Sequence, residues 1–244
     1  MCGRYASPAT DADLLALFDV VEAVGEELPR CYNVAPTATV RTVLERVPRS
    51  DPDGAPVRQL RSARWGLVPS WAKDLKGGAR LINARSETIT EKPAFKAAAS
   101  RRRCLVPADG YFEWEPRGGV KVPHFLHGQG VLAFAGLYEL WRPRVVDGEE
   151  PQEWVWSVTV LTTTASDTLG HLHDRSPVVL PADLQGPWLD PSTTDPARVR
   201  ELLELVPEPQ LTPREVGPAV GNVRNDTPDL LDPVPPPGGG TLAP

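Results

Sequence analysis

Val131-Leu-Ala-Phe-Ala-Gly-Leu-Tyr-Glu-Leu140 and Trp154-Val-Trp-Ser-Val-Thr-Val-Leu-Thr-Thr163 decide how this chain folds. Both runs are rich in β-branched and aromatic side chains and hold no proline, so they read as the strongest strands. Further strands are expected at Thr39 to Val47, at Val57 to Trp65 after the Asp51-Pro-Asp-Gly54 turn, and at Arg103 to Pro107 and Gly110 to Trp114 around another turn. Val178 to Leu180 is expected as a short buried strand. Thr10 to Val24 reads as an amphipathic helix, capped by Thr10, striped by Leu14, Leu17, Phe18 and Val21, and stopped by Gly25. Pro93 to Arg102 reads as a short Ala-rich helix with Pro in its first turn. Ser166 to Leu172 reads as a short helix or turn, Pro181 to Leu205 as two short helices with Trp188 between them, and Pro29 to Thr37 as a loop.

Many short strands and dispersed helices, without regular βαβ alternation, imply an α+β fold. The expectation is a single domain around a mixed, mostly antiparallel, barrel-like β-sheet with peripheral short helices. That domain is expected over residues 1–226, and 227–244 as a Pro/Gly-rich disordered tail.

The chain has 244 residues, 41% hydrophobic and 24% charged, which suits a soluble globular protein. No apolar run approaches the roughly 20 residues of a membrane span, so no membrane partner is expected. Nothing resembling a signal sequence precedes Cys2. Cys2, Cys31 and Cys104 show neither paired nor metal-type spacing, which suits a reducing cytoplasm. The net charge of −6 argues at first against nucleic acid, but Arg58 to Arg103 alone carries twelve basic and three acidic residues, or 12 − 3 = +9. Either this segment meets a local anionic partner or it is a solvated face.

Met1-Cys2-Gly3-Arg4-Tyr5 carries the most specific chemistry. Methionine aminopeptidases remove Met1 when the second residue is small. Cys2 would then present an α-amine and a thiol on adjacent carbons, with reference pKa values of about 7.7–8.0 and 8.5. Such a 1,2-aminothiol condenses with an aldehyde to an imine and then to a thiazolidine, the second step being intramolecular. Arg4 is expected to favour the Cys2 thiolate. The alternative is an ordinary small residue at a frayed terminus. Glu113, between Phe112 and Trp114, is either a desolvated acid/base with a raised pKa or a solvated carboxylate on the open face of its strand. His171 and His173 share a face if extended; a metal pair and a polar catalytic loop are both readings, and the lack of companion ligands favours the loop. Asn83 and Arg85 also share a face, as an amine-orienting and a phosphate-holding group.

In chain order, Met1-Cys-Gly-Arg4, Tyr32-Asn-Val-Ala-Pro-Thr37, Trp65-Gly-Leu-Val-Pro-Ser-Trp71, Asn83-Ala-Arg-Ser-Glu87, Arg103-Cys-Leu-Val-Pro107, Gly110-Tyr-Phe-Glu-Trp114 and His173-Asp-Arg-Ser-Pro177 resemble the SRAP family, SOS-response-associated peptidase-like proteins that process abasic sites in DNA. The resemblance covers about residues 2 to 225. It implies a single α+β domain with a positively charged groove for single-stranded DNA, and a thiazolidine crosslink from the N-terminal Cys to the ring-opened abasic aldehyde. By match, Cys2 is the nucleophile, Asn83 positions the amine, Glu113 is the acid/base and His173 the active-site His. Arg4, Asn33, Pro36, Trp65, Trp71, Arg85 and Arg175 fall on DNA-binding positions, with Trp65 to Trp71 as a wedge against the bases. No cofactor or metal is implied. The expected partner is single-stranded DNA containing abasic sites, bound by a monomer in the cytoplasm and at the nucleoid. One departure is Ser176, where the family usually has Met. Two other readings remain: a thiol peptidase with Cys2 as nucleophile and His173 as base, and a non-catalytic single-strand binder.

Overall fold

The computed structural model describes residues 2–48, 50–143, 153–165 and 172–235. In chain order the elements are β1 (Tyr5–Ser7), α1 (Asp11–Leu17), β2 (Glu22–Val24), β3 (Cys31–Val34), β4 (Thr39–Arg46), β5 (Val57–Trp65), β6 (Asn83–Arg85), α2 (Pro93–Arg101), β7 (Arg103–Ala108), β8 (Gly110–Arg117), β9 (Val120–His127), β10 (Leu132–Trp141), β11 (Val155–Thr164), β12 (Arg175–Pro177), α3 (Ala182–Leu189), α4 (Pro196–Glu204) and β13 (Thr212–Glu215). Strands β11, β10, β7, β4 and β5 pair in that order. A parallel contact of Ser157 with Arg64 and Val158 with Trp65 returns β5 to β11 and closes a ring. A second sheet runs β13-β9-β8-β1-β3. The mixed, mostly antiparallel, ring-like architecture is therefore the one the strand pattern implied.

The ring strands place buried apolar residues on both sides because both sides are covered. Leu44, Ala63, Val106, Phe134 and Val160 belong to one core cluster. Their chain neighbours Val43, Leu105, Ala133 and Leu161 belong to a second, which also holds Phe95 of α2 and Trp188 of α3. Successive side chains on a strand point to opposite faces, so one residue feeds each core in turn. Cys2, Tyr5 and Tyr111 join the first cluster, which places the start of the chain against the ring.

Several sequence expectations need correction. The first helix ends at Leu17, although Thr10 caps it in a full capping box with Asp13. Asp19 adopts φ 49°, and the Val21 amide donates to Arg58 O at 3.0 Å. Parallel pairing of β2 with β5 takes the residues that helical periodicity assigned to the last turn, so Leu17 and Val21 are exposed. The expected loop before Thr37 contains β3, which pairs with β1. Strand β9 carries no clear strand pattern, because Lys121, Pro123 and His124 dilute it. Its signal was Gly118-Gly119, whose φ values of 58° and 85° make the two-residue hairpin turn from β8. Trp188 lies inside α3, and the short strand is Arg175–Pro177 rather than Val178 to Leu180, where Val179 makes only an isolated bridge to Phe134. The expected tail is packed at its start: Pro228–Leu231 forms a 3₁₀ turn, Leu230 is buried, and the Val234 amide donates to Glu215 O. An apolar pair in a proline-initiated turn suffices to dock it. Residues 236–244 lie outside the described residues, as do most of the Ser166 to Leu172 turn, with His171, and Met1.

Candidate active site at the amino terminus

Cys2 is fully buried beside Tyr5, Tyr111 and Val160. Its carbonyl accepts a 2.7 Å hydrogen bond from Asn83 Nδ2. Asn83 is held by β6, which lies parallel to β11 with Asn83 opposite Val160, and the Val160 amide donates to Ile82 O at 3.0 Å. The Asn83 Oδ1 atom is buried and has no partner among the described residues. A buried acceptor without a partner is costly, so this atom is available to a donor that enters the site.

Glu113 faces inward on β8, on the same side as Tyr111, and is only 5% exposed. The solvated alternative for Glu113 therefore fails: β9 and β1 flank β8, and the apolar face of this end meets the ring. Burial raises the Glu113 carboxyl above the usual range, while positive charge at the amino terminus and at His173 acts in the other direction. Burial likewise pushes the Cys2 thiol well up, and the Glu113 carboxylate adds to it. Glu113 thus lies within electrostatic reach of both Cys2 and His173, and Asn83 holds the Cys2 carbonyl. His173 Nδ1 lies 3.0 Å from the Arg175 amide and 2.7 Å from Asp174 Oδ1. One nitrogen cannot accept and donate at once. Nδ1 accepts from the Arg175 amide when the ring proton sits on Nε2 and donates to Asp174 Oδ1 when the proton sits on Nδ1, and the Asp174 carboxylate is largely in water and screened.

The expected DNA contacts divide sharply. Trp71 is 59% exposed, and its loop is pinned by the Trp141 indole, which donates to Ala72 O at 2.7 Å. Gly66, at φ 125°, lets the loop pass close: a Cβ there would meet Gly78 O at 2.6 Å. Arg85 is exposed, and its guanidinium makes no hydrogen bond or ion pair among the described residues. Pro36 is half-buried in the turn before β4. Trp65, by contrast, is fully buried with its indole donating to Ile82 O, edge-on to Tyr5 at 5.0 Å. It is a core residue and has no face left for a base. Asn33 is buried; its amide bridges Val220, Asn222 and Asn225 carbonyls, and its Oδ1 accepts from Arg4 at 2.7 Å. Arg4 also donates to Val220 O. That engagement directs the guanidinium away from the thiol, so the expected support of a Cys2 thiolate by Arg4 is absent. Arg175 holds Glu87 through both guanidinium ends, at 2.7 and 2.9 Å, and is neutralised there.

The basic segment is likewise divided. Arg58 pairs with Glu45, Arg102 with Glu139, and Arg103 is buried on four carbonyls. Lys73, Lys76, Arg80, Arg85, Lys92 and Lys96 remain exposed. Among the described residues no group of three His, Cys, Asp or Glu is placed to hold a metal. Sequence reasoning missed Tyr111, whose hydroxyl is raised by burial, by Cys2 and by Glu113. Its signal was its position two before Glu113 on one strand.

Residues 1–223 match the family profile for SOS response associated peptidase (SRAP). This chain belongs to the SRAP family. It is 34% identical over 236 residues to "Abasic site processing protein YoqW" of Bacillus subtilis, covering 95% of this chain and 99% of that one. It is 31% identical over 229 residues to "Abasic site processing protein HMCES" of Gallus gallus, covering 83% of this chain and 66% of that one. Among solved structures, a Bacteroides thetaiotaomicron protein shares the fold with a TM-score of 0.74 at 21% identity, covering 96% of this chain and 100% of that one. A phage-related protein of Bordetella bronchiseptica superposes with a TM-score of 0.64 at 31% identity, covering 88% and 94%. In this SRAP chain Ser176 is buried beside a cavity of about 210 Å³ bordered by Ser86, Thr163, Val178, Leu203 and Val206. No helix among the described residues is long and apolar enough to cross a membrane.

Proposed function

We propose that this SRAP protein captures abasic sites in single-stranded DNA as a covalent thiazolidine on Cys2. Removal of Met1 frees the Cys2 α-amine. The amine attacks the C1′ aldehyde of the ring-opened sugar and gives a carbinolamine. Loss of water gives an imine, and the thiol then adds its sulfur to the imine carbon and its proton to the nitrogen. The sum is aldehyde plus aminothiol to thiazolidine plus one water, with no oxidant or reductant.

The observation that carries this reading is the buried Glu113 beside Cys2. A protonated carboxyl can deliver the proton that the departing C1′ oxygen needs, and its conjugate base can take one from the attacking amine. Asn83 fixes the Cys2 backbone through its 2.7 Å bond and offers Oδ1 to the ammonium. His173 supplies a second polar group whose charge acts on Glu113. Trp71 would stack on an unpaired base, and Arg85 with the neighbouring exposed lysines would hold phosphate. Shielding of abasic sites in exposed single strands during replication-associated repair is the role this chemistry fits.

A thiol peptidase with Cys2 as nucleophile fits less well. The thiolate is the nucleophilic form, and burial disfavours it here. Thiol addition to an imine needs no standing thiolate, because the imine nitrogen takes the thiol's proton. The test is a denaturing gel of the protein with a uracil-glycosylase-treated oligonucleotide, run beside a casein-cleavage assay. A heat-stable shifted band without casein cleavage supports the crosslinking reading. Cleavage without a shifted band supports the peptidase, and binding seen only under native conditions supports a non-catalytic binder.

A further inference from the structure

The start of β11 carries a second cationic surface, away from Cys2. Trp156 is sandwiched there: the Tyr138 ring stacks on it at 5.4 Å and 21°, and the Arg61 Cζ lies 4.5 Å from its centroid. Arg46 lies 5.7 Å from the same ring. Arg142 sits 4.6 Å over Trp154, which is 45% exposed. Arg46, Arg61, Trp154 and Trp156 border an open cavity of about 530 Å³ together with Ser50 and Gln59. That volume is in the range of pockets that take small ligands, roughly 300–1,000 Å³.

The charge in this cavity is not balanced. Neither Arg46 nor Arg61 forms an ion pair among the described residues. Glu22 is the one carboxylate among the described residues of the wall, and it is engaged by the Gln59 amide at 2.6 Å. Gln59 Oε1 in turn accepts from Arg61 Nε at 2.8 Å. Burial, and after it the like charge of Arg46, pull the Arg61 pKa down against the smaller opposing effect of Glu22, as expected for two guanidiniums close together. Such a pair is stabilised by an anion that both can grip, and the guanidinium fork matches phosphate.

We propose that this cavity is a nucleotide-binding site, with a phosphate held by Arg46 and Arg61 and a base laid on the exposed ring of Trp154. Trp156 cannot serve as the platform because Tyr138 and Arg61 stack against it. The site adjoins the proposed DNA path. Trp156 precedes Val160, the partner of Asn83, by four positions on the same face of β11, about 13 Å along the strand. Trp141, paired with Val155 on the adjacent strand, holds Ala72 next to Trp71. Trp141 and Val155 share the other face of these strands, so Trp71 lies across the sheet from Trp154 and Trp156, and the link to the proposed site runs along the face that carries Val160. A nucleotide within a DNA strand and a free nucleotide present the same chemistry, and the test separates them.

Tryptophan fluorescence of the full chain would be titrated with dAMP, with deoxyadenosine and with unmodified oligothymidylate. None of these carries an abasic aldehyde, so the outcome does not depend on whether Cys2 crosslinks. Arg46→Glu should weaken binding about tenfold or more, as expected when a charged hydrogen bond is lost. For the strand, the slope of log K against log salt should become shallower by about 0.7 per arginine removed. Arg142→Glu lies at the exposed rim and gives a second reading if Arg46→Glu does not fold. Arginine-dependent binding of dAMP assigns a free-nucleotide site, and arginine-dependent binding of the strand alone assigns a segment of the DNA path. Unchanged titrations in both variants would overturn the proposal, as would dAMP and deoxyadenosine both binding with equal affinity.

Discussion

Replacing Glu113 with Gln isolates the acid/base role, because Gln keeps the shape and removes the titration. The carboxyl is 5% exposed on a strand whose flanking residues are apolar, so its charged form is disfavoured and a larger share is protonated near neutrality than for a carboxyl in water. One positioned acid/base group typically contributes 10²–10⁴-fold, so Glu113→Gln should slow crosslinking by roughly that factor. The pH profile should change as well. In the wild type the rate rises as the Cys2 amine loses its proton and falls as Glu113 loses its own; the Gln variant should lose the falling limb. Stability moves the other way. A raised folded pKa contributes stability below the unfolded value of about 4.3, and that contribution is lost as pH rises through the folded value. Glu113→Gln should therefore melt no lower than wild type at neutral pH. Single-turnover crosslinking to an abasic oligonucleotide across pH, with a melting curve at each point, is the assay. A variant that reacts at the wild-type rate with the falling limb intact would refute the argument and shift the acid/base role to His173.

Cys2→Ser keeps the amine but not the ring-closing sulfur, so it should give an imine that borohydride traps and heat destroys; a heat-stable adduct without reductant would count against the thiazolidine. Trp71→Ala should weaken single-strand binding by roughly 1–3 kcal/mol at unchanged melting temperature, whereas Trp65→Ala should cost about 3–5 kcal/mol of stability. Equal effects of the two on binding alone would restore Trp65 to the wedge. Asp109 is raised chiefly by burial, with one carboxylate oxygen unpartnered among the described residues. By the same sign rule, the stability of Asp109→Asn relative to wild type should improve from pH about 3.9 upward, and a difference flat with pH would remove that assignment.

What was legible in the sequence follows burial. Strands of the ring bury side chains on both faces, so β4, β7, β10 and β11 announce themselves as β-branched and apolar stretches within a residue or two of their ends, whereas β5, which holds Arg58, Arg61 and Arg64, is marked by the turn before it. Strands β2, β3, β6 and β13 are three or four residues long, and partner strands rather than local preference define them. The site behaved similarly. Cys2, Asn83 and Glu113 are carried by sequence motifs and converge where strand register places them. The cation assignments fared worse, because a basic residue in a motif does not reveal its counterion. Glu87 lies 88 positions before Arg175, and the carbonyls that take up Arg4 and Asn33 come from the last folded segment. Trp65 misled for a related reason: it ends a strand and begins a loop, and only closure of the ring by Val158 settles which way it faces.

The central claim is that the Cys2 α-amine and thiol both bond to one aldehyde carbon. Intact mass of the purified protein, before and after incubation with an abasic oligonucleotide, tests it most directly. The account predicts a starting mass without Met1, and a denaturation-resistant product heavier by the oligonucleotide less one water. A protein that retains Met1 and still forms the adduct would contradict it, because an amide nitrogen cannot form the imine.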